Sequence, residues 1–133
     1  MKRPLLLIAV LAMLTLTAAE CSFSTANIAD AYLSTNQDGT DRVTSYSQES
    51  VFYAIVVLAN APDDSSLKAS WYVVEAVDTE PNLLISEVST TGSDGQYYFT
   101  LTNEAGFIWP IGSYRVDLYL NDKLDRSLEF SIQ

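Results

Sequence analysis

From Tyr114 to Ile132 the chain alternates apolar and polar side chains at nearly every step. Tyr114, Val116, Leu118 and Leu120 interleave with Arg115, Asp117 and Tyr119. After Asn121-Asp122-Lys123 the pattern resumes, with Leu128, Phe130 and Ile132 between Ser127, Glu129 and Ser131. A period of two puts one set of side chains on a single face only if the backbone is extended. The tail is therefore a hairpin with one buried face. Similar segments precede it. Strands are expected over Ala26–Leu33, Val51–Ala59, Leu67–Val77, Leu83–Val88 and Gln96–Thr102. Between them lie clusters of Gly, Pro, Asn, Asp and Ser, which favour turns. Arg42–Ser47 is ambiguous. In Leu67–Val77, Leu67, Ala69, Trp71 and Val73 share one face, and Lys68, Ser70 and Tyr72 the other. Leu83–Val88 is expected to be a shorter strand near an edge, with Thr90–Gly95 a loop. In Gln96–Thr102, Tyr97, Phe99 and Leu101 point inward and Tyr98 is an exposed or rim aromatic. Seven strands in about 110 residues define an all-β antiparallel sandwich.

The first twenty residues differ in kind. Lys2 and Arg3 precede an apolar run, Leu5–Leu16, and then the small residues Thr17, Ala18 and Ala19. The run falls short of the roughly 20 apolar residues of a membrane span. It reads as a secretory signal, which implies an extracytoplasmic protein. Residues 1–20 with Cys21 resemble a bacterial lipoprotein signal, which implies that Cys21 is lipidated and becomes the mature N-terminus. The residue before Cys21 is Glu20, where that pattern has a small one. Cleavage after Ala19 by an ordinary signal peptidase, leaving a free thiol and a secreted protein, is the alternative. Cys21 is the one cysteine, so no intrachain disulfide can form. A mature chain from Cys21 has 133 − 20 = 113 residues, enough for one core and too few for two. The expected division is a signal over 1–20, a spacer over 21–25 and one domain over 26–133.

Pro110-Ile111-Gly112-Ser113-Tyr114-Arg115-Val116 resembles the start of strand F in immunoglobulin-like domains. There a Gly and a Tyr precede the second cysteine of the inter-sheet disulfide. The resemblance places Gly112 and Tyr114 at that corner and Val116 at the cysteine position. It puts the first cysteine's counterpart near Ile55 or Val57, and makes Trp71 the strand C tryptophan. It implies an immunoglobulin-like sandwich with aliphatic packing in place of the disulfide. The tail also resembles the closing hairpin of such modules in bacterial surface proteins and lipoproteins. A tyrosine at this corner buries its ring while its hydroxyl satisfies a backbone group of the preceding turn. The sandwich hosts many unrelated functions, so the resemblance implies a fold and not an activity.

The chemistry available is sparse. There is no histidine, so triads built on imidazole are excluded. The carboxylate pairs Asp63/Asp64, Asp78/Glu80 and Asp122/Asp125 fall in turns, where Asp bonds to its own backbone. No catalytic residue and no cofactor are expected. The net charge is −10, or −11 once Lys2, Arg3 and Glu20 are lost (5 basic against 16 acidic). Such a surface repels phosphate backbones and anionic lipid, so nucleic acid is excluded and any membrane contact runs through the N-terminal anchor. Asn36, Asp38 and Asp41 resemble part of an acidic calcium loop, but alignment on Gly39 puts Ser45 where a bidentate Glu belongs. No metal site is assigned there. Phe107, Trp109, Tyr98 and Tyr119 form a candidate ligand surface, the alternative for Trp109 being a plug over one end of the core. The expected function is a non-catalytic binding or assembly module for an unknown protein or carbohydrate partner. The second reading is an accessory subunit of a cell-envelope complex. A hydrolase or hydrolase inhibitor is a third class for which no residue argues.

Overall fold

A computed structural model describes residues 25–133. The expected signal over 1–20, Cys21 and the spacer through Ser24 lie outside the described residues. The remainder forms strands β1 (Asn27–Ser34), β2 (Arg42–Val43), β3 (Ser45–Tyr46), β4 (Phe52–Ala59), β5 (Ser65–Ala76), β6 (Leu83–Gly92), β7 (Gly95–Leu101), β8 (Gly112–Leu120) and β9 (Lys123–Ile132). They make two sheets, β2-β1-β4-β7 and β3-β9-β8-β5-β6. The fold is an all-β, immunoglobulin-like sandwich.

The tail folds as the expected hairpin, with one residue, Asp125, bulged out of its register. Leu120 pairs with Lys123, and the two residues between them, Asn121 and Asp122, have φ of 50° and 67°. Two consecutive left-handed residues make the turn whose twist matches the strands it joins. The ambiguous stretch Arg42–Ser47 is the crossover between sheets. β2 ends the β1 ladder, and two residues later β3 runs parallel to β9 in the other sheet. Tyr46 fixes the crossing: its ring is buried and its hydroxyl donates to the Ser34 carbonyl at 2.7 Å.

The core lies between the sheets. Leu67, Ala69, Trp71 and Val73 enter it from β5, and Tyr114, Val116, Leu118 and Leu120 from β8. Val116 is fully buried. Burying such a side chain contributes roughly 1.5–3 kcal/mol, comparable with the roughly 2–4 kcal/mol of a disulfide.

From β4 the inward residues are Phe52, Ala54, Val56 and Leu58. This corrects the expected pairing of Val116 with Ile55 or Val57, which occupy the opposite face. Ile55 is nevertheless fully buried. The loop after β1 folds back over it, held by the Tyr32 hydroxyl donating to the Gly39 carbonyl at 2.9 Å. Gly39 has φ +72°, and a Cβ there would press on Tyr32 and Ile55. A strand covered on both faces reads as unbroken apolarity and hides its own phase.

β6 is a second correction. It runs ten residues, through Thr90–Gly92, the stretch expected to be a loop.

Candidate functional site

The topology gives the sandwich two distinct ends. At the entry end Asn27 pairs with Ala59, and the turns at Asn60–Asp64, Ser93–Asp94 and Asn121–Asp122 gather there. At the far end lie Ser34, Phe52, Leu101 and Gly112. An eight-residue strand separates the two by about 25 Å.

The far end is organised by Tyr114. Its ring is fully buried, stacked on Phe130 at 5.5 Å, and its hydroxyl donates to the Pro110 carbonyl at 2.6 Å. Burial pushes the phenol up to about 12. Gly112 lets β8 close on β5: a Cβ would collide with the Glu75 carbonyl oxygen and Ala76. Trp109 lies beside this corner and is 6% exposed. Its indole N–H donates to the Ser50 carbonyl at 3.1 Å, its backbone N–H to Gln48 O at 2.9 Å, and Gln48 Nε2 to its carbonyl at 3.0 Å. Trp109 therefore plugs the core and is withdrawn from the candidate ligand surface. The Gln48 and Ser50 partnerships join loops about 60 residues apart, which no local pattern reveals.

The residues around that plug remain outside. Val77, Phe107, Ile108 and Ile111 are each roughly half exposed or more. Val77, Ile108 and Ile111, with Gln48 and Pro110, line a shallow depression of about 270 Å³. This is an apolar cap on the far end.

The tyrosines do not join it. Tyr98 sits on the outer face of its sheet, edge-on to Tyr53 with centroids 6.0 Å apart. Tyr119 sits on the outer face of the other sheet with Lys68 Nζ 4.3 Å from its ring centroid. Tyr72, on that same face, is covered by the Arg115 guanidinium at 4.3 Å. The expected surface of Phe107, Trp109, Tyr98 and Tyr119 is thus dispersed over an end loop, the core and two opposite faces. Alternation distinguishes inside from outside but not which outside.

Asn36 and Asp41 use side-chain oxygens to hold the acidic loop's own backbone and hydroxyls, and the loop is tied to β7. Asn36 Oδ1 accepts from the Thr40 backbone N–H at 3.0 Å and Asp41 Oδ2 from Thr35 Oγ1 at 2.5 Å. The Asp38 carbonyl accepts from Gln96 Nε2 at 3.0 Å. Among the described residues no cluster of three or more His, Cys, Asp or Glu side chains forms. Asp63/Asp64 and Asp122/Asp125 belong to the entry end, whereas Asp78/Glu80 belong to the far end. Asp117, nearly buried, is held by Arg115 Nε at 3.1 Å and Ser127 Oγ at 2.6 Å, a structural ion pair on the strand face.

No protein-family model matches the chain, and no curated protein does so. Solved structures share the fold. One is the alkylpurine DNA glycosylase AlkC of Pseudomonas fluorescens bound to DNA containing an abasic site analog. It is 12% identical with a TM-score of 0.54, over 83% of this chain and 31% of that one. Another is a β-glucosidase of Listeria innocua in complex with gluconolactone. It is 17% identical with a TM-score of 0.50, over 77% and 16%. An immunoglobulin-like protein of Pseudomonas aeruginosa is 15% identical with a TM-score of 0.49, over 81% and 96%. The chain spans less than a third of the glycosylase and less than a fifth of the glucosidase. At these identities the likeness is one of fold alone.

Proposed function

We propose that this chain is an exported, non-catalytic module that binds or assembles with a partner outside the cytoplasm, tethered through Cys21. The observation that carries the reading is the polarity of the sandwich. The chain enters at one end, and exposed Val77, Phe107, Ile108 and Ile111 crowd the other. A tether at the entry end directs that apolar cap away from the membrane, and exposed apolar clusters on soluble domains are where partners dock. The net charge of −10 opposes any transfer of DNA binding from the glycosylase likeness.

Two measurements test it. The intact mass of protein extracted from membranes should exceed that of the chain from Cys21 by a lipid adduct. A photoreactive residue at Ile108 should crosslink a partner in the cell, and one at Asp63, on the entry end, should not. An unmodified thiol removes the tether. Equal or absent crosslinking at both positions removes the docking role.

A further inference from the structure

The two sheets differ by one strand, and the difference falls in one place. β1 lies against β9. Following both strand orders from that contact, β4 falls over β8, β7 over β5, and β6 over no strand of the other sheet among the described residues. The register gives the consequence. Leu83, Ser86, Val88 and Thr90 pair with Val73, Trp71, Ala69 and Leu67, so they share the face that elsewhere is core. Yet Leu83 and Val88 are 43% and 44% exposed. Core-type surface is uncovered where a fifth strand beside β7 would lie.

The edge that would receive that strand is open. β7 pairs with β4 without a bulge, and no strand among the described residues pairs along its other side. Its sequence, Gly-Gln-Tyr-Tyr-Phe-Thr-Leu, contains no charge and no proline. Edge strands are ordinarily guarded against pairing by those very devices. Tyr97 closes the groove at the entry end, its hydroxyl donating to the Ser93 carbonyl. At the far end a recess of about 290 Å³ lies between Ile85 of β6 and Phe107, Trp109 and Glu104 of the following loop.

We infer that this groove accepts an extended segment of a partner protein, added to β7 as a strand with alternate apolar side chains resting on Val88 and Leu83. Charge defines the occupant further. Leu83–Ile111 contains Glu87, Asp94 and Glu104 and no Lys or Arg, and Asp94 and Glu104 mark the two ends of β7. The occupant therefore carries Lys or Arg at its ends. A second copy fits poorly, because in-register antiparallel pairing of two β7 strands brings Asp94 of each to within two residues of Glu104 of the other, at both ends. The inference rests on the reading of the chain as a binding or assembly module and names that module's strand-binding surface.

The test is a fluorescent peptide of about nine residues, Lys at both ends and Val and Thr alternating between, titrated with the purified protein by anisotropy. Saturable binding is expected, with slowed hydrogen exchange in β7. Val88→Asp should weaken it about tenfold or more, the equivalent of about 1.4 kcal/mol. Leu84→Asp, the same change in charge on the opposite face of β6, should leave affinity within about twofold, and both variants should keep the parent melting temperature. Replacing both peptide Lys by Glu should also cost about tenfold. No saturable binding, or equal loss in the two variants, overturns the inference. So does a dimer in sedimentation that the peptide fails to dissolve. With crosslinking from Ile108 intact, such a result removes the strand site and leaves the module reading standing.

Discussion

Replacing Tyr114 by phenylalanine removes one oxygen and keeps the ring. That oxygen donates to the Pro110 carbonyl at 2.6 Å. A net neutral hydrogen bond is worth about 1 kcal/mol, and a stranded acceptor adds to the loss. Pro110 is only half-buried, so water can reach its carbonyl, and the expected loss is about 1–2 kcal/mol. Alanine also deletes the ring, which stacks on Phe130 at 5.5 Å and meets Phe52 and Trp109 edge-on. The cavity left behind brings the cost to about 3–5 kcal/mol. For a domain of this size each kcal/mol lowers Tm by about 4 °C. Urea unfolding followed by tryptophan emission measures both variants, since Trp71 and Trp109 are buried in the fold and exposed on unfolding. The m-values should match the parent, because the surface exposed on unfolding is unchanged. If Tyr114→Phe costs as much as Tyr114→Ala, the ring contributes nothing. If the alanine variant loses less than about 1 kcal/mol, the corner does not hold the sheets.

Tyr46 and Tyr114 keep their protons in the fold up to about 12 against an ordinary value of 10.0, because burial disfavours phenolate. The folded state thus binds more protons than the unfolded one between pH 10 and 12. The stability they contribute is full below pH 10 and is lost as pH rises to 12. Alkaline denaturation curves should show this, and Tyr114→Phe should remove about half of the pH-dependent loss. Gly112→Ala forces β8 off β5 at the Glu75 carbonyl, and thermal unfolding should report a loss of about 2–3 kcal/mol. Both tryptophans should resist acrylamide in the native state. Efficient quenching of half the emission would place Trp109 at the surface and return it to a ligand-binding role.

What the sequence made legible follows from how far each signal reaches. The β8–β9 hairpin is local: Asn121-Asp122 sets the first two pairs, and a bulge at Asp125 shifts the register by one residue, which puts Leu128, Phe130 and Ile132 on the buried face. β5 is nearly as plain, since Lys68, Ser70 and Tyr72 mark its polar side. β4 is not, because Val51–Ala59 offers no polar residue to set the phase, and its coverage by the Gly39 loop depends on residues some 15 positions away. The end of β6 was hidden for another reason. Ser89, Thr90 and Thr91 resemble a loop by composition, although β-branched threonine suits an exposed strand.

The strand groove lies beyond any of these signals. Val88 is an apolar residue in a strand and looks ordinary until its partner Ala69 is known to be core. Even then its exposure matters only once the opposite sheet is seen to stop at β7. Periodicity settles which face a side chain takes. Whether anything covers that face is decided by how many strands each sheet contributes, and here the counts differ at β7, an edge that carries no charge to keep a neighbour away.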